Sequence, residues 1–261
     1  MHTRAILSAT LLAACATSAF AADGGTWDYW VRVQASVGSI GLDGDASYGI
    51  NGGSGTSFAM ADVGLDASET TPAFELGLTT PLLSFHGFLG YQEWSTEGSA
   101  TLTAPINFGG TGFSGAVNSS ATISDLYAEF CWAPIELNPA GFTIGLAVHQ
   151  LGMQTELAST GQRVEFDENV LVPTLAVRAY VAPLDMFEVE AMVHGLAVPI
   201  GDVSGSFIAG QIQASYYPMD YVGIFAGYRH TMIDMEIDDG DMKAEANVAL
   251  SGPFLGVAAQ F

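Results

Sequence analysis

His230 and Asp234 stand four residues apart, with Asp238, Asp239 and Asp241 close behind them. A histidine and a carboxylate that converge can share a proton or hold a water for attack on a carbonyl. On an extended strand, however, residues four apart are separated by ~13 Å of rise, too far for direct contact. No second acidic pair at a defined spacing accompanies them. The expectation is a non-enzymatic chain with no catalytic residue, cofactor or metal-ligand set. His86, His149 and His194 are numerous enough for a zinc site, but they fall in three separate segments. Isolated histidines are the plainer reading. Asp43, Asp45, Asp62, Asp66, Glu69, Asp167, Glu168 and the run Asp238–Asp241 sit in Gly-containing stretches. Oxygen-rich loops of this kind suit hard divalent cations. The Asp-x-Asp-x-Asp-Gly spacing of a calcium loop is nevertheless absent, so the plain reading is a solvated acidic rim. Cys131 is expected to be a buried, inert thiol.

A second group of charges is defined by its neighbours. Arg32, Glu75, Asp125, Glu129, Arg178, Glu188, Glu190 and Arg229 each occur within a segment whose alternate residues are apolar. Alternation at period two marks a strand with one oily and one polar face. Ten stretches carry it: 27–37, 73–79, 84–94, 122–132, 142–149, 175–181, 187–194, 208–216, 222–229 and 255–261. In 122–132, for example, Leu126, Ala128, Phe130 and Trp132 oppose Asp125, Tyr127 and Glu129. No segment shows a convincing helical period, and no apolar run reaches the ~18 residues of a membrane helix.

Proline-containing intervals (Pro81, Pro134 to Pro139, Pro183, Pro218) alternate along the chain with Gly- and Asp-rich ones, two of them long, 43–72 and 98–118. Proline ends strand pairing, so it belongs in turns. Short turns on one side and longer loops on the other are what a transmembrane barrel requires. The expected fold is therefore all-β: a single closed antiparallel transmembrane β-barrel of about ten strands, with eight or twelve as alternatives and a soluble sandwich as the competing fold. The eight charged residues then point inward as a lumen charge network. Lipid would penalise a wall charge by ~2–4 kcal/mol at mid-depth, and each Arg can brace carboxylates through charge-assisted bonds. Small barrels are generally filled by side chains. The lumen is thus expected to be narrow and braced, with a polar conduit or ligand site as the functional alternative. Trp27, Tyr29, Trp132, Phe142, Tyr216, Tyr217 and Tyr221, with Tyr91 and Trp94 further out, are expected to form aromatic belts at the headgroups.

The N-terminus adds an address. Arg4 precedes the apolar run Ala5–Ala14, and Ala19-Phe20-Ala21 fits a signal-peptidase site. Residues 1–21 read as a signal peptide and 22–261 as the barrel domain. Leu12-Ala13-Ala14-Cys15 also resembles a lipoprotein cleavage box, in which Cys15 would be lipidated. Past the signal, five basic residues face 28 acidic ones, a balance that excludes nucleic acid as a partner. The expected partners are outer-membrane lipid, divalent cations at the acidic loops, and an unidentified solute.

Ala61-Asp62-Val63-Gly64-Leu65-Asp66, Thr71-Pro72-Ala73-Phe74-Glu75-Leu76, Gly227-Tyr228-Arg229-His230, Asp238-Asp239-Gly240-Asp241 and Ser251-Gly252-Pro253-Phe254-Leu255-Gly256 together give the chain its resemblance to a known group. It resembles a family of small Gram-negative outer-membrane β-barrel proteins of largely uncharacterised function. That resemblance implies fold and location rather than chemistry. Phe261, after alternating Leu255, Val257 and Ala259, resembles the C-terminal signature read by the barrel-insertion machinery. Among ten-stranded barrels, the omptin proteases carry Asp and His groups at the extracellular rim, and His230 with Asp234 is the set comparable in type here. Three roles follow as expectations: a structural or small-solute barrel, a surface-binding barrel using its long acidic loops, and a rim hydrolase.

Overall fold

The structure is a computed structural model that describes residues 29–80, 84–137, 139–197, 203–238 and 240–261. The expected signal peptide, Cys15 and Trp27 lie outside the described residues. In chain order the elements are β1 (Val31–Ile50), β2 (Phe58–Ala59), a short 3-10 turn (Met60–Val63), β3 (Glu69–Thr80), β4 (Phe85–Phe108) and β5 (Thr111–Glu136). They continue with β6 (Ala140–Ser159), β7 (Gln162–Leu184), β8 (Phe187–Ala197), β9 (Val203–Met219), β10 (Val222–Asp238) and β11 (Met242–Gln260). Each long strand pairs antiparallel with the next, and β11 pairs back onto β1 from Arg32↔Gln260 to Ile50↔Met242. Apart from the two-residue β2, ten strands form this closed ring. Closure leaves no unpaired strand edge facing lipid, which could not hydrogen-bond it.

Within the ring the alternation sorts side chains by what surrounds them. On β5, Leu126, Phe130 and Trp132 are exposed on the outer wall, while Asp125, Glu129 and Cys131 are buried inside. On β7, outward Leu171, Leu175, Val177 and Val181 are all exposed. From Leu171 to Val181 is about 33 Å along a strand, or about 25 Å of height at the usual barrel tilt. That matches the apolar band a bilayer covers.

Beyond the outer edge of this band the strands continue, and the polarity of their two faces inverts without any change of parity. Above Leu126 the outward residues of β5 are Ser124, Thr122 and Ser120. The inward ones are Ala121, Val117 and Phe113, all buried. β1, β4, β6, β10 and β11 behave in the same way, bringing Leu42, Phe108, Leu157, Ile233 and Val248 into one apolar cluster. Outside the membrane the protein is an ordinary water-soluble β structure with its core inside.

Two expectations are corrected here. The stretch 98–118 is not a long loop: β4 and β5 pair up to Phe108↔Thr111 and turn at Gly109-Gly110, both with positive φ. The stretch 43–72 is a loop only from 51 to 68, and it folds into the barrel mouth. Its Phe58, Met60, Val63 and Leu65 are buried with Trp94, Phe113 and Leu157. Glycines fix the seat of this plug: Gly64 has φ +80°, and a Cβ on Gly98 of β4 would lie 2.0 Å from the Gly64 carbonyl oxygen. The Ser119 hydroxyl donates to the Val63 carbonyl at 2.5 Å, and Thr56 N–H donates to the Asn107 carbonyl at 2.8 Å. These bonds satisfy backbone groups that the plug buries.

Candidate functional site

Near the proline-turn end, two arginines and four glutamates form a layer across the lumen. Arg32, fully buried, donates to Glu188 at 3.1 Å and to Glu190 at 2.7 Å, with Glu75 at 3.9 Å. Arg178, 1% exposed, reaches Glu129 through Nε at 2.8 Å, Glu190 through Nη1 at 2.9 Å and Glu75 through Nη2 at 2.8 Å. Strand parity puts these residues inside, and register puts them level: Gly77, the partner of Arg32, is two residues from Glu75, and Tyr180, two from Arg178, pairs with Glu190. Each guanidinium also lies over a ring, Arg32 over Tyr29 at 5.0 Å and Arg178 over Phe88 at 3.8 Å. Tyr127 donates its hydroxyl to Glu75. Its ring fills the place of the missing side chain at Gly90 on β4, where a Cβ would meet it at 2.2 Å.

A hydrogen-bonded line runs on from this layer toward the mouth. His194 Nε2 lies 3.1 Å from Glu129, His194 Nδ1 lies 3.0 Å from His149 Nε2, and His149 Nδ1 lies 2.9 Å from Asp125. The Cys131 thiol donates to the other Glu129 oxygen at 2.7 Å. The two histidines are therefore not isolated. Both ring nitrogens of each are engaged with carboxylates or with each other, and among the described residues no set of metal-ligating side chains converges. Arg32, Glu75, Asp125, Glu129, Arg178, Glu188 and Glu190 thus belong to one connected system.

Arg229 stands apart from the other charged residues. It donates to the Gln92 amide oxygen at 2.9 Å and to Ser36 Oγ at 3.3 Å, and it lies over Phe254 at 4.5 Å. Among the described residues no carboxylate pairs with it. Its inward position matches the alternation. Its strand register, Arg229↔Gly252 and Arg229↔Gln211, places it above the ion-pair layer, which parity alone could not reveal. It borders a cavity of about 50 Å³ with Gln34, Glu75, Asp125 and His194 on the other walls. Above that cavity the apolar plug closes the lumen. A second, apolar cavity of about 50 Å³ lies beside the plug between Tyr48, Phe108, Met153 and Met235.

Other expected positions are settled by geometry. His230 and Asp234 both lie on the outward parity of β10, with Asp234 exposed, so neither enters the lumen. Of the aromatic belt, Trp132, Tyr216, Tyr221 and Tyr91 are exposed on the outer wall, whereas Tyr29, Tyr217 and Trp94 are buried inside. Trp94 and Tyr217 follow the parity of Gln92 and Ser215. Tyr29 turns inward because the chain bends at Trp30 before β1 begins. The Trp94 indole donates to the Ile40 carbonyl at 3.0 Å. Of the acidic rim residues, Asp43 accepts from Gly44 N–H and Glu69 accepts from the Thr96 hydroxyl. Phe261 seals the ring, its carbonyl accepting from the N–H groups of Trp30 and Val31 at 2.7 and 3.1 Å. The mouth chamber and its plug are what residue-level reading missed. Their trace in the sequence is the alternation Ala100, Leu102, Ile106, Phe108, whose apolar face points inward instead of out.

No family model and no curated protein matches the chain in sequence. Solved structures do match in shape. The outer membrane protease OmpT from Escherichia coli aligns with a TM-score of 0.56 at 8% identity, covering 94% of this chain and 99% of that one. Neisserial surface protein A aligns at 0.36 and 12% identity, over 88% of this chain and 97% of that one. At these identities the likeness speaks to fold alone, and the fold is that of the bacterial outer-membrane β-barrels.

Proposed function

We propose that the chain is a non-enzymatic barrel of the bacterial outer membrane that holds small solutes in a closed lumen rather than conducting them. The observation that carries this reading is the double closure. The Arg32–Arg178 layer fills the proline-turn end with six interlocked charges, and the 51–68 plug fills the mouth. An ion crossing would have to break several buried charge-assisted bonds and displace Val63 and Leu65, neither of which is exposed at all. The outward apolar band supports placement in a bilayer, and the OmpT-like architecture supports the outer membrane, with export directed by residues 1–21. Phe261, stacked on Tyr221 beside the closing seam, supports engagement by the insertion machinery through the last strand. Placement of His230 and Asp234 on the outer wall supports a non-catalytic role.

Reconstitution into planar bilayers tests the closed lumen. The expected trace is flat, with no unitary conductance steps under applied voltage. Stable steps from the unmodified protein would overturn the reading and return the lumen to a conduit.

A further inference from the structure

The line from Asp125 to Glu129 needs a number of protons that its geometry fixes. It has three links: His149 Nδ1 to Asp125 Oδ1 at 2.9 Å, His149 Nε2 to His194 Nδ1 at 3.0 Å, and His194 Nε2 to Glu129 Oε2 at 3.1 Å. A carboxylate oxygen only accepts, and two ring nitrogens bond only when one of them bears hydrogen. Each link therefore needs its own proton, three in all. A neutral imidazole carries one N–H, so two neutral rings supply two. One link stays open unless the line takes up one proton more. All four side chains are buried, and the two rings meet over β7, where His149 pairs with Val172 and His194 with Ala176. The inward residue between those two pairings is Thr174, short enough to leave the rings room.

The partners of the line decide where the third proton sits. Glu129 has no oxygen from which to donate. Arg178 Nε donates at 2.8 Å to the oxygen that faces His194, and the Cys131 thiol donates to the other at 2.7 Å. A proton on Asp125 would also close the first link, but imidazole holds a proton about 400-fold more tightly than an aspartate carboxylate does in water. The third proton therefore belongs to the ring pair.

The charges around the pair favour an added positive one. Tyr127 of β5 sets its ring 5.3 Å from each imidazole, and Phe207 of β9 covers His149 at 4.6 Å. Arg178 of β7 and Glu75 of β3 flank the Glu129 end, where His86 of β4 stands opposite Cys131. Arg229 of β10 faces the other end across the cavity. Arg32 of β1 holds Glu188 and Glu190 of β8 beyond. Three arginines thus stand against five carboxylates, Glu75, Asp125, Glu129, Glu188 and Glu190, in one lumen. One added proton reduces an excess of two negative charges to one.

We propose that this line is a proton-binding site, in which His149 and His194 together carry three ring protons and share one positive charge across the N–H···N bond that ties β6 to β8. When the extra proton leaves, the two remaining N–H groups turn to the carboxylates, where charge-assisted bonds are about twice as strong. The nitrogen–nitrogen link is then the one lost, so the tie between β6 and β8 is made or broken by a single proton. Exchange runs through the cavity of about 50 Å³ that Asp125, His149 and His194 line, which has room for about three waters. The inference stands whether or not the lumen conducts. It is tested by nitrogen-15 NMR of the full chain, labelled at histidine, in phosphatidylcholine nanodiscs at neutral pH. The expected spectrum shows three N–H protons on the coupled ring pair and a scalar coupling between His149 Nε2 and His194 Nδ1 through the shared proton. Raising the pH until the third N–H signal is lost should remove that coupling in the same step. Asp125→Asn supplies an amide that can donate to His149 Nδ1, so the line closes with two ring protons. In that variant the proton number should fall from three to two, and the coupling should survive the same rise in pH. Two ring protons in the unmodified chain, or no coupling between the rings, would overturn the inference. So would a folded Asp125→Asn protein whose ring pair still carries three. Should that variant fail to fold, the proton number and coupling of the unmodified chain decide alone.

Discussion

Replacing Arg178 by Met should show whether the lumen is truly cross-braced. Arg178 is 1% exposed and holds Glu129, Glu190 and Glu75 at 2.8, 2.9 and 2.8 Å. Methionine keeps most of the volume and removes the charge. Glu190 and Glu75 can still use Arg32, at 2.7 and 3.9 Å, but Glu129 retains only His194 and the Cys131 thiol. Stranding a buried charge in this way costs about 3–5 kcal/mol. The remaining Arg32 places the expected value near the lower end, about 3 kcal/mol, or roughly a hundredfold in the folding equilibrium. The assay is urea unfolding of the barrel in lipid vesicles, followed by tryptophan fluorescence and by the gel mobility of the folded form. A second substitution sharpens it. Glu129→Gln should destabilise the native protein, because Arg178 loses a partner, yet should stabilise the Arg178→Met protein by about 1 kcal/mol or more, because it removes the stranded charge. A loss under about 1 kcal/mol for Arg178→Met, or the same sign for Glu129→Gln in both backgrounds, would refute the bracing argument.

Other consequences are simpler to state. Gly98→Val should drive its side chain into the Gly64 carbonyl, 2.0 Å from where Cβ must sit, and lift the plug; the expected result is proteolysis within 51–68 and a loss of about 1–3 kcal/mol, and a resistant loop would count against the fixed seat. Leu146→Arg, at the centre of the outer band and 65% exposed there, should cost about 2–4 kcal/mol in vesicles. Gln154→Arg, eight residues up the same face of β6 and beyond the band, should be near neutral, and equal costs would misplace the membrane boundary. Tyr127→Ala would uncover Gly90 and free Glu75 of a hydroxyl donor, so it should cost about 3–5 kcal/mol in the urea assay; a change under 1 kcal/mol would remove Tyr127 from the lumen framework.

Much of the fold was legible because a bilayer imposes a strict rule on strands inside it. Leu126, Ala128, Phe130 and Trp132 must face out and Asp125 and Glu129 must face in, so all ten crossings and the inward side of seven braced charges follow from parity. Parity does not give height. The meeting of His149 with His194 depends on register across β6–β7 and β7–β8, and the separation of Arg229 from Arg32 on register across β10–β11 and β11–β1, and no local pattern encodes that. The belt assignments of Trp94 and Tyr217 put chemical habit ahead of alternation, when alternation with Gln92 and Ser215 was the better guide. Tyr29 escaped for another reason: a bend at Trp30 resets parity just outside the strand.

The least legible feature was the mouth, and the reason lies in the solvent. A strand that leaves the bilayer keeps its alternation but reverses which face must be oily, so Phe113, Val117 and Ala121 continue the inward parity of Asp125 and Glu129 while exchanging charge for hydrocarbon. Read with the rule for lipid, the segment 98–118 shows no outward apolar face and passes for a loop. Read with the rule for water, it is a strand pair with a buried apolar face. The same reversal explains the plug. Ten strands enclose more width than their own inward side chains fill, and the charged layer solves this within the membrane by placing long Arg and Glu side chains across the gap. Above the membrane, a core in contact with water must be apolar, and the wall alone supplies too little of it. Phe58, Met60, Val63 and Leu65 provide the rest from 51–68, entering where β3 stops at Glu69 while β1 and β4 rise past it.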